Sequence, residues 1–354
     1  MKSLKKVNVK NKRILVRCDF NVPLSKKGVI LDDYKIKSSI STIEYLISQK
    51  AKVILMSHFG RPKAEENPKR KNKKFSLKPV ANYLEKNLKK SVKFIPDCIG
   101  EKTLKEVKEL KPGQIALLEN LRFYKGEEEN KEKFAKELAK LGEIYVNDAF
   151  GVAHRSHASV AAITKHLPSY AGFLFEKEIK TLKKMIKNPD KPLVAIVGGA
   201  KVETKAKLIN KLSEKSDFVL VGGLIAREIK EKDIYLIYPR KIVSPIDETA
   251  DGKDIGPRTM NFFKEKILPA KTIFFNGVMG RTEDERYRKG TEAVLKAIIK
   301  SNAFSIVGGG ETVEFINELG WSSKFSHLST GGGAMISYLA GEKLPAIEAL
   351  DKWK

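Results

Sequence analysis

The stretch Arg-Ile-Leu-Val-Arg-Cys-Asp-Phe-Asn-Val-Pro, residues 13–23, shows the pattern that decides the fold. Its apolar run at 13–16 predicts a short buried strand, and polar residues follow at the point where the strand ends. Similar runs recur, each followed by a longer amphipathic stretch; they lie at 53–56, 114–118, 143–147, 193–197, 217–221, 272–275 and 304–307. This alternation predicts βαβ units that assemble into parallel sheets.

The apolar runs fall into two sets, which predicts two domains. A chain of 354 residues is also longer than one hydrophobic core usually organises. Between the sets, residues 175–187 have the apolar spacing of a helix, and Asn188, Pro189 and Asp190 then stop it. We therefore expect an α/β protein with a domain junction around residues 170–190.

The composition is that of a folded, water-soluble protein, with 42% apolar and 31% charged residues. Two cysteines, Cys18 and Cys98, lie in apolar contexts, so we expect them to be buried in a reducing compartment. The apolar run near the N-terminus is too short for a signal peptide, and no stretch approaches membrane-spanning length. We therefore expect a cytoplasmic protein that does not bind a membrane.

The formal charge of +25 comes from lysines scattered along the whole chain. A solvated lysine surface and a surface that attracts polyanions would both produce this charge. The scatter favours the solvated surface, so we do not expect nucleic acid to be the partner. The positive field would still draw any phosphate-bearing ligand toward the protein.

Polar and cationic residues follow the predicted strands of the first half. They are Arg17, Asp19, Asn21, His58, Arg61, Arg122, His154, Arg155 and His157. Any one of them could be an ordinary surface residue, but parallel strands bring their carboxyl ends to one edge of a sheet. Guanidinium groups bind phosphate and carboxylate bidentately, so the set predicts an anion site.

The pair His154 and His157 also raises the alternative of a zinc site. No third or fourth ligand follows at the spacing of a metal site, so we favour contacts to an anion.

Glycine clusters dominate the second half, at 198–199, 277–280, 308–310 and 331–333. Glycines let backbone amides approach phosphate oxygens, and a helix that starts there adds its positive N-terminal end. Lys201 and Lys205 would add positive charge. No Walker motif and no Gly-x-Gly-x-x-Gly occurs, so a nucleotide site of another type is predicted.

Phosphoryl transfer fits these parts, because it needs positioning, Mg²⁺ and positive charge rather than a covalent nucleophile. The sequence shows no activated nucleophile and no tuned base. A carboxylate acceptor would need neither, since its pKa is about 4. The absence of a base therefore favours chemistry on an acyl phosphate.

Six collinear motifs resemble those of the phosphoglycerate kinase family, and the resemblance extends from residue 1 to about residue 350. They lie at 17–23, 57–63, 119–123, 147–157, 198–202 and 329–334. The resemblance implies two doubly wound, Rossmann-like domains facing a cleft and joined by a hinge helix. Residues 1–170 would bind 3-phosphoglycerate or 1,3-bisphosphoglycerate, residues 171–335 would bind ADP or ATP with Mg²⁺, and residues 336–354 would pack back on the first domain.

The resemblance also implies which residues bind each ligand in a monomeric enzyme of glycolysis. The substrate would contact Arg17, Asp19, Asn21, Lys35, His58, Arg61, Arg122, His154, Arg155 and His157. The nucleotide would contact Gly199, Ala200, Lys201, Lys205, Gly222, Asn276, Glu283, Gly308, Gly309, Gly310, Glu311 and Thr312. Lys35, Lys201, Gly309 and Gly332 would be catalytic, Glu283 would bond the ribose, and Glu311 would bind Mg²⁺.

Several positions depart from the family pattern. Lys35 stands where the family carries an arginine, and Lys37 is a competing candidate for that role. Glu311 replaces an aspartate, Thr204 replaces a carboxylate, and Val278 replaces a proline. The segment between Lys230 and Asp254 looks shortened, which leaves the selectivity for the nucleotide base open.

Two other functions stay open at this point. One is a weakened member of the same fold that acts as a basic binding or scaffold protein. The other is a kinase of this fold that acts on a different acyl phosphate. The presence of both phosphate-binding residue sets favours the enzyme with phosphoglycerate as its substrate.

Overall fold

The computed structural model describes residues 1–66, 68, 72–200 and 202–353, without the side chain of Thr204. The predicted site residue Lys201 therefore lies outside the described residues. The chain divides into two compact units. The first contains Met1–Glu178 with Lys343–Lys354, and the second contains Ile179–Glu342.

The first unit is built on a six-stranded parallel sheet. Its strands are β1 (Arg13–Arg17), β2 (Lys52–Met56), β3 (Val92–Ile95), β4 (Ile115–Leu118), β5 (Ile144–Asn147) and β6 (Ser169–Ala171). The order across the sheet is β3-β4-β2-β1-β5-β6. Ile14, Leu15 and Val16 of the central strand β1 are fully buried, as the apolar run predicts.

Helices lie on both sides of this sheet and cover its apolar faces. They are α1 (Tyr34–Ser48), α2 (Lys78–Leu88), α3 (Glu101–Lys108), α4 (Lys125–Glu128), α5 (Glu132–Ala139) and the first part of α6 (Phe173–Lys187). Helix α1 shows why these segments are helical: Ile36, Ile43, Leu46 and Ile47 recur at helical spacing and are all buried.

The second unit repeats the architecture with a sheet of the order β12-β11-β10-β7-β8-β9. Its strands, all parallel, are β7 (Leu193–Val197), β8 (Phe218–Val221), β9 (Ile242–Val243), β10 (Thr272–Asn276), β11 (Phe304–Gly308) and β12 (His327–Leu328). Its helices are α7 (Val202–Lys215), α8 (Gly223–Glu231), α9 (Pro257–Ile267), α10 (Lys289–Ser301), α11 (Gly310–Glu318) and α12 (Gly332–Leu339).

The C-terminal segment belongs to the first unit and ends with helix α13 (Pro345–Asp351). The amide of Ala346 donates to the carbonyl of Ala153 at 3.1 Å, and the indole of Trp353 donates to the carbonyl of Thr164. The segment that was expected to begin at residue 336 begins at Lys343, because residues 336–339 complete α12 of the second unit.

The structure confirms the predicted fold class of two parallel α/β sheets and all eight predicted strands, within a residue or so at their ends. It also confirms that Cys18 and Cys98 are buried and free. Strands β3, β6, β9 and β12 were not predicted. They are two to four residues long and each lies at an edge of its sheet, where a strand needs no continuous apolar run.

In each sheet the connections reverse direction beside the first strand. Strand β1 lies between β2 and β5, and strand β7 lies between β8 and β10. Open α/β sheets bind ligands at the carboxyl ends of strands at such a switch point. The predicted motifs therefore lie at the expected place in both units.

Candidate active site residues in each unit

A buried carboxylate, Asp19, lies just beyond the end of β1 and gathers cationic groups around it. Its Oδ2 accepts a hydrogen bond from Lys35 Nζ at 3.0 Å, and its Oδ1 lies 4.0 Å from His58 Nδ1. Burial by itself would raise the pKa of Asp19, but the charges of Lys35, His58 and Arg17 lower it well below the usual range. Asp19 is therefore ionised and holds Lys35 in place.

The structure distinguishes Lys35 from its competitor Lys37. Lys35 reaches Asp19, whereas Lys37 bonds Asp33 on the same helix at 3.0 Å, with 60% of its side chain exposed. Lys35 is therefore the lysine of this pair that contacts the other predicted substrate residues.

Arg17 is fully buried and bonded within the protein. Its Nε donates to Ser159 Oγ at 2.8 Å, one terminal nitrogen donates to the carbonyl of Cys18, and the other lies 3.2 Å from His58 Nδ1. The predicted direct contact between Arg17 and a substrate does not fit this position, because no part of the side chain is exposed. Arg17 instead contacts His58 from the interior of the first unit.

Sequence reasoning missed the partner of this arginine. Glu127 is fully buried, and its carboxylate accepts hydrogen bonds from the Ser159 hydroxyl at 2.6 Å and the Ser159 amide at 2.9 Å. The same carboxylate lies 4.0 Å from Arg17 and 3.8 Å from His157 Nδ1. Glu127 lies in a run of four acidic and polar residues, 127–130, that resembles a solvated surface, so no sequence signal distinguished it.

His157 shows how positive this part of the first unit is. Burial lowers its pKa to about 3, and the positive charges of Arg17, Arg122 and Arg155, with His154, act in the same direction. Burial likewise lowers the pKa of His58 well below its usual range, and Arg17, Arg122 and Lys35 add to this. These residues, which are far apart in the sequence, therefore lie close enough in space to form one cationic cluster.

The remaining predicted substrate residues differ in how deeply they are buried. Arg122 is nearly buried and donates to the carbonyl of Gly60 at 2.7 Å while it pairs with Glu128 at 3.0 Å. Asn21 Oδ1 accepts from the amide of Gly60 at 2.8 Å, which orients the loop that carries Arg61. Arg155 Nε lies 3.4 Å from His154 Nε2. Arg61 is exposed, as a residue that meets a ligand from solution should be.

In the second unit, Asn276 ends the central strand β10 and is buried. Its Nδ2 has no hydrogen-bond partner among the described residues. A buried amide without a partner costs free energy, so this donor fits a site that a ligand oxygen completes. Beside it, Thr312 Oγ1 accepts from the amide of Gly277 at 3.1 Å and holds the strand-end loop.

Two glycine loops meet next to Asn276. Gly309 has a φ of +104°, which favours glycine, and a Cβ placed on Gly332 would lie 3.0 Å from the nitrogen and Cα of Gly309. Any side chain at Gly332 would push the loops apart. Helices α11 and α12 start at Gly310 and Gly332, so two positive helix ends converge on this place.

Lys205 is the described lysine of this region. It is almost buried, and its Nζ donates to the carbonyl of Gly198. Burial lowers its pKa to about 8, against the opposing effect of the nearby Glu311 carboxylate. Gly199 is anchored by its amide, which donates to the carbonyl of Val278 at 2.7 Å, and the neighbouring Ala200 is exposed.

Other predicted nucleotide residues surround these loops. Gly222 is the N-cap of α8 and donates its amide to the carbonyl of Val197 at 2.9 Å, and Gly308 ends β11. Glu311 lies in the first turn of α11 with an exposed side chain, and Glu283 is exposed as well. Within the described part of the chain no three His, Cys, Asp or Glu side chains form a metal-binding group. Glu311 offers a single carboxylate, so a Mg²⁺ ion bound there would need further oxygen ligands.

The shortened segment leaves apolar side chains exposed. These are Leu224, Tyr235, Ile237, Tyr238 and Ile246. Arg227 pairs with Glu248 and donates to the carbonyl of Gly252 at 2.9 Å, which ties α8 to the following loop. Gly222, the predicted nucleotide residue that precedes α8, therefore adjoins a helix that is tied to this loop.

Loss of the Glu127 charge should destabilise the first unit. In a Glu127→Gln variant, Arg17 would stay buried without a charged partner, so we expect the free energy of unfolding to fall by about 3 kcal/mol. Urea unfolding followed by circular dichroism measures this. Glu129→Gln, which changes a glutamate on the surface of the same segment, is the matched control and should unfold like the wild type. Equal stabilities of the two variants would contradict the role assigned to Glu127.

The low pKa of His157 predicts a pH dependence of stability. Between pH 6.5 and 3 the unfolded chain binds a proton at this histidine and the native protein does not, so stability falls as the pH falls. From pH 7 to pH 5 we expect a loss of about 2 kcal/mol from this residue. Urea unfolding at both pH values measures the loss, and the His157→Gln variant should show a smaller one. An unchanged pH dependence in that variant would be evidence against the cationic cluster.

Comparison with known proteins identifies the family. The model of the phosphoglycerate kinase family matches residues 4–237 and 236–342. A phosphoglycerate kinase of Borrelia turicatae is 42% identical over 99% of this chain and 100% of its own length, and one of Dictyoglomus turgidum is 43% identical over 98% and 97%.

Solved structures agree with the sequence relatives. Phosphoglycerate kinase from Pyrococcus horikoshii superposes with a TM-score of 0.88 and 34% identity, covering 100% of this chain and 99% of that one. The enzyme from Coxiella burnetii gives a TM-score of 0.81 and 35% identity, covering 99% and 98%. The two matched segments of the family model meet and overlap at residues 236–237, inside the segment that looked shortened.

In the part of the chain that the structure covers, no helix is both long and apolar enough to cross a membrane. Since the family match and the relatives extend over nearly all of the chain, this protein belongs to the phosphoglycerate kinase family and is a phosphotransferase with a carboxyl group as acceptor.

Proposed function

We propose that this protein transfers a phosphoryl group reversibly from 1,3-bisphosphoglycerate to ADP, giving 3-phosphoglycerate and ATP. One observation carries the proposal. Each unit gathers groups that are suited to bind an anion at the switch point of its sheet: side-chain cations in the first, backbone amides and Asn276 in the second. A transfer between two phosphate-bearing ligands needs both.

The cationic cluster of the first unit would bind the phosphoglycerate. Arg61, Arg122 and Arg155 would contact its phosphate and His58 its carboxylate end, while Asp19 and Asn21 orient the cluster. His157 would contribute a neutral imidazole N–H donor, because its depressed pKa keeps the ring uncharged, and His154 would contribute a ring N–H beside it. Arg17 would act as a support, since it is already bonded to Ser159.

The glycine loops of the second unit would bind ADP or ATP. Backbone amides of Gly199, Ala200 and residues 308–310, with Asn276 and Lys205, would contact the phosphates, and Thr312 would hold the loop between them. Gly222 and Glu283 would contact the nucleoside. Glu311 would hold Mg²⁺ through its exposed carboxylate, and the ion would neutralise charge on the nucleotide phosphates.

The reaction needs no general base, because the acceptor carboxylate is already ionised at neutral pH. Lys35 and Lys201 would bring positive charge to the migrating phosphoryl group, and the amides of Gly309 and Gly332 would compensate charge on its equatorial oxygens. Bending at helix α6 would bring the two ligands in line and exclude water. We propose that the enzyme acts as a monomer in the cytoplasm.

The first test is turnover. Purified protein with 3-phosphoglycerate, ATP and Mg²⁺ in a coupled assay should form ADP. The Arg61→Ala variant should lose about a hundredfold in kcat/KM, because it lacks a cation that would contact the phosphoglycerate; Arg61 is exposed, so the truncation leaves no cavity in the core. Arg13→Ala is the matched control, since this arginine lies at the opposite end of strand β1 and pairs with Glu143.

The same assay separates the rival functions. Turnover on another carboxylate but not on 3-phosphoglycerate would assign a different acyl phosphate. Affinity for DNA that falls steeply with salt and that 3-phosphoglycerate does not compete, in the absence of turnover, would assign the basic binding protein instead.

Lys35→Arg should raise kcat several-fold. Lysine keeps the charge of the family's arginine but lacks its planar fork, and Asp19 holds Lys35 by an ion pair. Steady-state kinetics measure the change, with Lys37→Arg as the control on the same helix. An unchanged or lower kcat in Lys35→Arg would argue that Lys35 does not occupy the arginine's position.

A further inference from the structure

One buried carboxylate of the first unit has no part in the proposed chemistry. Asp148 follows strand β5 directly and is fully buried, and its amide donates to the carbonyl of Arg17 at 2.8 Å. Its Oδ1 accepts hydrogen bonds from the amides of Leu174 at 3.0 Å and Phe175 at 3.5 Å. Asp148 therefore caps the first turn of α6 from a distant part of the chain.

A second hydrogen bond holds the same helix end. The amide of Phe173 donates to Thr42 Oγ1 of helix α1 at 3.0 Å. The fit around Asp148 is tight, because a Cβ on Gly172 would lie 2.1 Å from Asp148 Oδ1. The start of α6 is thus held at two points, by the loop after β5 and by α1, and only glycine leaves room for the turn that precedes it.

Contacts between aromatic rings strengthen both attachments of the start of α6. Phe173 packs against Tyr45 of α1 with ring centroids 5.0 Å apart, and Phe175 packs edge-on against Phe150 at 5.9 Å. The elements that hold the helix also carry substrate residues. Lys35 is in the first turn of α1, and His154, Arg155 and His157 follow Asp148 in the chain.

Helix α6 is continuous from the first unit into the second, since the units divide between Glu178 and Ile179. A helix is stiff over this length, so the direction of its first turn sets the direction in which the chain leaves the first unit. If transfer requires the two units to bring their ligands in line, an error at this turn would misplace one ligand relative to the other.

We propose that Asp148 is a positioning residue for phosphoryl transfer: by accepting the amides of the first turn of α6, it fixes the direction of this helix relative to the substrate-binding loop. The inference rests on the proposed function. Asp148 is fully buried and would touch neither ligand, so its loss should change the transfer step rather than the binding of each ligand alone.

The chemistry of the cap predicts which substitution is tolerated. Burial raises the pKa of Asp148 to about 7, outweighing the hydrogen bonds from Thr42 and the helix amides. The pocket therefore accommodates a neutral acceptor. Asparagine keeps the Oδ1 acceptor at the same size, whereas alanine removes it and exposes two amides to an apolar cavity.

The experiment compares Asp148→Ala with Asp148→Asn. We expect kcat of Asp148→Ala to fall by about a hundredfold, because a small misplacement of the reacting groups lowers the rate of transfer by about this factor. Titration calorimetry should give dissociation constants for 3-phosphoglycerate alone and for Mg–ADP alone within about twofold of the wild type. Asp148→Asn should recover most of kcat. Thr42→Val, which removes the Thr42 hydroxyl but leaves the bonds from the helix amides to Asp148, should lower kcat by a smaller factor.

Spin labels report the positioning directly. Spin labels are attached to cysteines introduced at the exposed residues Lys133 and Lys296, one in each unit. When both ligands are bound, the distribution of distances between the two labels should become narrower in the wild type and in Asp148→Asn. The distribution in Asp148→Ala should stay broad. If Asp148→Ala does not fold, Thr42→Val takes its place in both measurements.

The outcomes are distinguishable. Wild-type turnover in the same assay tests the proposed function, and its absence would overturn that function whatever the variants do. With wild-type turnover present, a folded Asp148→Ala with normal kcat, or one whose affinity for 3-phosphoglycerate falls as much as kcat, would overturn the positioning role.

Discussion

The first unit depends on the buried carboxylate of Glu127. Several cationic or potentially cationic side chains meet at one end of a sheet, and such a group is costly to assemble because like charges repel and burial removes their hydration. Glu127 offsets part of this cost, because its carboxylate accepts a hydrogen bond from Ser159 and lies beside the buried Arg17. Asp19 does the same at the side that faces Lys35. The remaining positive charge is what an anionic ligand would neutralise.

The predicted anion-binding region of the second unit is built mainly from uncharged groups. Its donors are mostly amides at glycine loops and at the ends of α11 and α12, which carry partial charges and need no counterion. The close approach of Gly309 and Gly332 makes this arrangement possible. Lys205 adds a full charge, but burial and its bond to Gly198 hold it in place. The two units would therefore bind anions by different physical means.

The departures from the family pattern are distributed unevenly. Lys35 keeps its place beside Asp19, so this change affects the geometry of a contact rather than the assembly of the site. The two matched segments of the family model meet at residues 236–237, next to the exposed side chain of Tyr235. The phosphate-binding loops lie on other strands and are built independently of that segment.

The sequence by itself determined the fold class, the central strands and the location of both residue sets. The spacing and the proportion of apolar residues in a segment indicate which of its side chains are buried. Parallel strands bring the residues at their carboxyl ends to one edge of the sheet. Short edge strands such as β9 and β12 escaped prediction because two paired residues leave no pattern.

Only the tertiary structure decided how each site residue is used. It shows that Arg17 is buried beside Glu127, and that Lys35 contacts Asp19 whereas Lys37 does not. It also shows that Asp148 caps a helix that begins 25 residues later along the chain. These roles arise from contacts between segments far apart in the sequence. Local patterns carry no record of such contacts, since a buried glutamate and a solvated one look the same until their neighbours are known.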